Sequence, residues 1–205
     1  MLAIREERYT ILDEMEHLVV KLQNGDVEQY GGIVEAVQQP MYRYCSRLLG
    51  SGAEAEDAVQ EILVKAYQNI GQYRPLVSFS SWLYKIAYHH CLGVIRQRQR
   101  QSRLMMLLRP QKYAESPEQQ MDRFLFDEPL AVALSRLKAE ERNLLVLRIF
   151  EELSFAEIAV ILGKNQDAVK KRYRRTIVKL TNLLQSQREG EESHWTSTSL
   201  LKKKG

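Results

Sequence analysis

Apolar residues recur along this chain at intervals of three and four, the spacing of one face of an α-helix. Between 53 and 67 the sequence sets Val59, Ile62, Leu63 and Ala66 at i, i+3, i+4 and i+7, with Ser51 and Glu54 upstream in capping-box spacing. The pattern predicts an amphipathic helix. From Ser80 to Arg100, the residues Trp82, Leu83, Ile86, Ala87 and His90 share a face and the last turns are basic, which predicts a second, longer helix. Ahead of them, 15–24 and 27–49 read as helices, the latter weakened by Gly31, Gly32 and Pro40. The periodicity then fails around Pro110, Pro117 and Pro129, marking a flexible linker at 103–127.

Beyond the linker, Pro129 stands where a first helical turn tolerates it, opening a helix to Leu137, and another follows over 139–150. Ser154 and Glu157 form a capping box for a short helix that ends at Leu162 and Gly163, a residue suited to a left-handed cap. Asn165 can cap one more helix, whose stripe is Val169, Tyr173, Ile177, Leu180 and Leu184. Short helix, three-residue turn and basic helix make a helix-turn-helix. The expected fold is all-α: two small helical domains, 15–102 and 128–187, on a flexible linker. Residues 1–14 are an N-terminal extension, and the Ser/Thr-rich stretch 188–205 reads as a disordered tail.

Composition agrees and narrows the classes. Ten Gly and five Pro in 205 residues are about 7% together, well under the ~12% of average proteins, against a turn-rich β-sandwich. No apolar run of 18 residues could span a bilayer, and the N-terminus mixes charge with apolar residues where a secretory signal needs an unbroken apolar segment. A cytoplasmic location without membrane insertion is expected. Cys45 and Cys91 are too few for a disulfide framework or a four-ligand zinc site, and read as buried thiols.

Charge changes the picture more. The net charge of +4 hides an acidic stretch at 51–61 and two basic ones. Residues 96–112 carry Arg96, Arg98, Arg100, Arg103, Arg109 and Lys112 with no acid, and 164–180 carry seven bases against Asp167.

Enzyme signatures are missing: no phosphate-binding loop, no H-E-x-x-H and no third glycine after Gly50 and Gly52. His89, His90 and Cys91 do not make a metal site, because adjacent helical residues point about 100° apart. Glu140, Glu141, Glu151 and Glu152 read as charged faces of surface helices. No catalytic residue, metal or cofactor is expected. The basic helix is more telling, since Lys170, Lys171, Arg174 and Arg175 lie off its apolar stripe and Gln166 stands among the N-terminal residues that a recognition helix inserts into the major groove. On the acidic helix, Asp57, Gln60 and Glu61 form a polar face opposite the core stripe. In the segment from Phe79 to Ala87 aromatics interleave with bases ahead of Arg96, an arrangement that suits unstacked single-stranded bases.

Three ordered motifs, Ala55-Glu-Asp-Ala-Val-Gln-Glu61, Phe79-Ser-Ser-Trp-Leu-Tyr-Lys-Ile-Ala87 and Leu153-Ser-Phe-Ala-Glu-Ile-Ala-Val-Ile-Leu-Gly163, resemble the extracytoplasmic-function sigma factors of bacterial RNA polymerase, within the sigma-70 family. The resemblance implies that Asp57, Gln60 and Glu61 dock on core RNA polymerase. It implies that the first domain reads and helps melt the minus-ten element of promoter DNA through Arg74, Trp82, Lys85, His89 and Arg96. The second domain would read the minus-thirty-five element through Gln166, Lys170, Lys171, Arg174 and Arg175. An anti-sigma factor is the regulator the family implies. The chain departs from the family pattern at His89, where many members carry Asn, and at Gly93-Val94, where Asp-Arg is common. The alternative is a stand-alone helix-turn-helix regulator whose first domain serves dimerisation or sensing.

Overall fold

The computed structural model describes residues 15–108 and 128–201, with side chains over 15–105 and 129–187. The described residues contain helices and turns and no strand. Helix α1 spans 15–23, and α2 (Gln29–Leu49), α3 (Gly52–Asn69) and α4 (Phe79–Leu108) complete the first domain. The second holds α5 (Glu128–Ser135), α6 (Ala139–Leu145), α7 (Phe155–Leu162) and α8 (Gln166–Leu201).

Helix α2 runs unbroken through Gly31, Gly32 and Pro40 because Ile33, Val37, Met41, Tyr44 and Leu48 are all buried on one face, and their packing outweighs weak local propensity. It ends at Gly50, whose φ of 74° is the left-handed conformation that glycine adopts without penalty. Ser51 then caps α3, its Oγ accepting from the Glu54 N–H at 3.4 Å. The α3 stripe Ala55, Ala58, Val59, Ile62 and Ala66 is buried against α2 and α4. Cys45 and Cys91 are free thiols with Sγ atoms 3.7 Å apart inside this core. The contact between them, together with burial, pushes the Cys91 thiol well above its ordinary pKa.

Three boundaries differ from the sequence reading. Helix α4 does not stop at Arg100 but continues to Leu108, taking in the first residues assigned to the linker at 103–127. Nothing between Arg96 and Leu108 breaks a helix, and the first breaker is Pro110, which disfavours helical conformation in the residue before it. Residues 109–127 of that linker lie outside the described residues, as does the extension 1–14. The helix expected over 139–150 divides: α6 ends at Leu145 and Val146–Phe150 form a π-helical turn. Helix α8 passes Arg188 and runs to Leu201, where a disordered tail was expected. The segment holds one glycine, Gly190, and no proline, so its Ser/Thr content lowers helix propensity without ending the helix.

The two domains are packed on each other. Leu144, Val146, Leu147, Leu153, Ile158 and Ile161 of the second domain belong to the same continuous apolar core as Leu48, Ile62 and Leu83 of the first. A smaller core of Ala131, Leu134, Leu137, Leu145 and Leu180 closes α5 and α6 against α8.

Candidate nucleic-acid interface

The second domain presents α8 from a rigid mount. Ser154 Oγ accepts from the Glu157 N–H at 3.2 Å while Glu157 Oε2 accepts from the Ser154 N–H at 2.7 Å, closing the expected capping box on α7. Gly163, at φ 60°, ends α7, and Asn165 Oδ1 accepts from the Ala168 N–H at 2.7 Å to start α8. Val169, Thr176 and Leu180 are buried, and Tyr173 stacks edge-on against Phe155 with ring centroids 5.3 Å apart.

Two ion pairs fix the helix further: Arg172 binds Glu140, and Lys179 Nζ meets Glu141 Oε2 at 2.7 Å. Burial alone would raise the Glu141 carboxyl. The Lys179 ammonium and the Lys138 backbone N–H outweigh it and hold the group below the usual carboxylate range. Of the predicted DNA-facing residues, Gln166, Lys171, Arg174 and Arg175 are exposed. Lys170 is half-buried, with Asp167 Oδ1 3.7 Å from its Nζ. Arg172 carries the same charge but is committed to Glu140, so it braces the helix.

Helix α4 presents a narrower face. Lys85, His89 and Arg96 are exposed and fall on one side at helical spacing, with Gly93 between them. Trp82 is half-buried in an aromatic cluster, its ring centroid 5.6 Å from those of Tyr73 and Phe79. It therefore helps hold the entry to α4. Arg74 is exposed, but its Nη1 donates to the carbonyls of Gly71 and Tyr73 at 2.8 and 2.9 Å, tying it to the loop that leads into α4. Arg98 is removed from the basic run altogether, paired with Glu54 and donating to the Leu49 carbonyl at 3.3 Å.

The residue that organises this entry loop is Glu16 of α1. Its carboxylate accepts from the Tyr73 hydroxyl at 2.7 Å and from the Phe79 N–H at 2.7 Å, so it caps α4 from a different helix. Burial and this bond push the Tyr73 hydroxyl far above its ordinary pKa. A cap delivered across 63 positions leaves no local sequence signal.

On α3, Asp57, Gln60 and Glu61 are all exposed on one face, and Val64, 52% exposed, extends it by a turn. Behind Glu61, Lys65 Nζ lies 3.6 Å from its carboxylate and 2.7 Å from His90 Nδ1. Burial and the Lys65 charge lower the His90 pKa, which keeps the ring neutral and able to accept from the ammonium. The acidic face of α3 and the basic face of α4 are thus linked by one hydrogen-bonded side chain. No cluster of metal-ligating side chains occurs among the described residues, and no described helix is long and apolar enough to cross a membrane.

Residues 33–101 match the family model of sigma-70 region 2, and residues 127–180 match that of sigma-70 region 4. RNA polymerase sigma factor YlaC of Bacillus subtilis is 30% identical over 156 residues, covering 75% of this chain and 90% of that one. The chain belongs to the sigma-70 family, in its extracytoplasmic-function group. The extracytoplasmic-function sigma factor SigW of Bacillus subtilis is 29% identical over 167 residues, 77% of this chain and 89% of the relative. Two solved structures share the fold: CnrH in complex with the cytosolic domain of CnrY, and RpoE in complex with the anti-sigma factor NepR from Bartonella quintana. The first superposes with a TM-score of 0.61 at 24% identity, over 82% of this chain and 96% of that one. The second has a TM-score of 0.61 at 22% identity, over 77% and 98%. Region 2 thus coincides with the bundle bearing the α3 and α4 faces, and region 4 with the helix-turn-helix.

Proposed function

We propose that this sigma factor binds core RNA polymerase and directs promoter-specific initiation in the cytoplasm, under the control of an anti-sigma factor, and that it catalyses no reaction itself. The observation that carries the reading is that one chain holds three separate polar faces on rigid helices: acidic on α3, basic and aromatic on α4, basic on α8. Asp57, Gln60 and Glu61 dock on polymerase. Lys85, His89 and Arg96 face the minus-ten element, with His89 at a base edge and Arg96 at a phosphate, while Trp82 and Arg74 shape the loop beside them. Gln166, Lys170, Lys171, Arg174 and Arg175 meet the minus-thirty-five duplex in the major groove.

A stand-alone operator-binding regulator would leave the α3 face without a use and would bind a palindrome unaided. The test is transcription in vitro: core polymerase with this protein should yield specific transcripts that neither gives alone. Asp57→Lys combined with Glu61→Lys should lose co-purification with core polymerase while keeping its helical circular dichroism. Wild-type yield from that variant would overturn the docking face.

A further inference from the structure

Several arginines of this chain are bound up in the fold itself. Arg98 is paired with Glu54, Arg142 Nη1 donates to the Leu48 carbonyl at 3.0 Å and Arg172 is paired with Glu140. Arg47 Nη1 meets Glu151 Oε1 at 3.1 Å, while Glu151 Oε2 accepts from the Tyr84 hydroxyl at 2.6 Å. The Glu151 side chain is only 7% exposed, so it is a buried partner where its sequence context suggested a charged surface. Arg96, Arg100 and Arg103 of α4 differ from all of these. Each is exposed, and none makes an ion pair or a side-chain hydrogen bond among the described residues.

They stand where α4 outlasts the core that carries it. Leu92 is the last buried residue of the helix, and Val94 and Ile95 are the last that pack on the core, yet α4 continues to Leu108. From 96 to 105 every residue but Arg98 is exposed. Arg and Gln alternate here and both are good helix formers, so these turns stay helical with little packing to hold them. At about 100° per residue, Lys85, His89, Arg96, Arg100 and Arg103 fall within about 60° of arc, one line along the helix. The line is about 27 Å long at ~1.5 Å per residue, and the part beyond Arg96 adds about 10 Å, the length of roughly three base pairs. Helix α4 carries no acidic residue over its 30 positions. The match to sigma-70 region 2 ends at residue 101, inside this projecting end.

We propose that Arg100 and Arg103 form a further DNA contact, an arm that holds backbone phosphates of the intact duplex immediately upstream of the minus-ten element and reads no base; this rests on the function proposed above. The arm continues the stripe proposed for the minus-ten element with no break in its line and no change in the sign of its charge. It leaves the first domain at the end from which the chain runs on to the helix-turn-helix, and so toward the upstream element. A guanidinium meets phosphate oxygens through paired N–H groups whatever the base beside them. Each such contact releases condensed counterions, so the signature of the arm is salt dependence and not sequence preference. Placed there, it grips double strand at the border of the segment that melts, and the grip is kept while the strands part.

The test uses the full chain with core polymerase, as wild type, with Arg100→Gln and Arg103→Gln together, and with Arg100→Lys and Arg103→Lys together. Gln and Lys match Arg closely in helix propensity, so the helix is kept in both. Two labelled templates come from a promoter that the wild-type holoenzyme transcribes. In one the duplex ends at the upstream edge of the minus-ten element, and in the other it runs on by about ten base pairs, one turn, short of the minus-thirty-five element. Fluorescence anisotropy over a salt series gives the affinities. On the longer template the Gln pair should lower the salt slope by about two, so that between ~50 and ~200 mM salt the wild type loses about tenfold more affinity than the variant. On the shorter template the two should bind alike, and the Lys pair should keep the wild-type slope on both. An unchanged slope in the Gln pair on the longer template overturns the arm. So does a loss that persists on the shorter template, which puts the contact on polymerase or within the minus-ten element, and so does a Lys pair that behaves as the Gln pair does. If wild type and core polymerase give no specific transcript, the functional reading fails instead. The salt slope of the free chain on arbitrary duplex, with and without the two arginines, then decides whether they meet phosphates, and an unchanged slope overturns the arm there too.

Discussion

Helices α4 and α8 carry comparable runs of basic residues, yet the fold treats them differently. Helix α4 packs against α2 and α3 of its own domain and against α6 and α7 of the other, so it runs through the core of the molecule. Within its first five turns the exposed residues are Lys85, His89, Gly93 and Arg96, all on one stripe. Helix α8 is docked along one side, on α5, α6 and α7, and Lys171, Arg174 and Arg175 stand clear with no ion pair among the described residues. On the proposed function, the element that helps open a duplex is built into the core, where its position is rigidly set. The one proposed to read an intact duplex is held by a side mount and can vary its outer face at little structural cost.

The largest expected effect tests the core role of α4. Leu83 is almost fully buried between the helices of the first domain, and Leu83→Ala leaves a cavity that should cost ~2–5 kcal/mol of stability. Denaturant unfolding measures it directly. The matching change on α8, Val178→Ala, removes methyl groups that are 60% exposed and should stay within about 0.5 kcal/mol of wild type. Equal losses at the two positions would mean that α8 is as embedded as α4, and the contrast would fall.

The second effect belongs to the outer face of α8. Arg174→Ala and Arg175→Ala should leave stability and core binding intact while weakening initiation at promoters that depend on the upstream element. A lost base contact costs ~1–3 kcal/mol and relaxes specificity at one position, whereas a lost phosphate contact lowers the salt slope by about one and affects all sequences alike. Binding isotherms at several salt concentrations on matched and mutated duplexes separate the two. Full activity and unchanged salt dependence in both variants would remove α8 from the DNA.

This contrast was only partly legible in the sequence. Caps and stripes are local, so Ser51, Ser154, Gly163 and Asn165 announce their helices within four residues, and the structure places each at the predicted end. The polar faces of α3 and α8 followed from the same periodicity. What could not be read locally were interactions between distant segments: Glu16 capping α4, Glu140 taking Arg172 out of the basic face, and Glu54 taking Arg98. The bonds of Tyr44 to Asn143 and of Arg47 to Glu151 are of this kind too, each between residues about 100 positions apart. The proline-marked segment correctly separated two domains but carried no information on whether they touch. Helix ends at Leu108 and Leu201 were missed for another reason, since polar composition lowers helix propensity without supplying a stop.

The smallest expected effect lies on the exposed stripe of α4, where Gly93 stands between His89 and Arg96 in mid-helix. A glycine there costs roughly 0.5–1 kcal/mol relative to alanine, because the unfolded chain loses more freedom on becoming helical. Its backbone φ is not in the left-handed region, and a Cβ added at this position would meet no atom within 4 Å. Gly93→Ala should therefore raise stability by about that amount, seen as a small upward shift in the unfolding midpoint with an unchanged slope. Core binding should not change, because the docking face is proposed for α3. The sign of the stability change is the sharp part: a loss would mean that something packs over this turn of α4, and the stripe assigned to the minus-ten element would then be an internal contact.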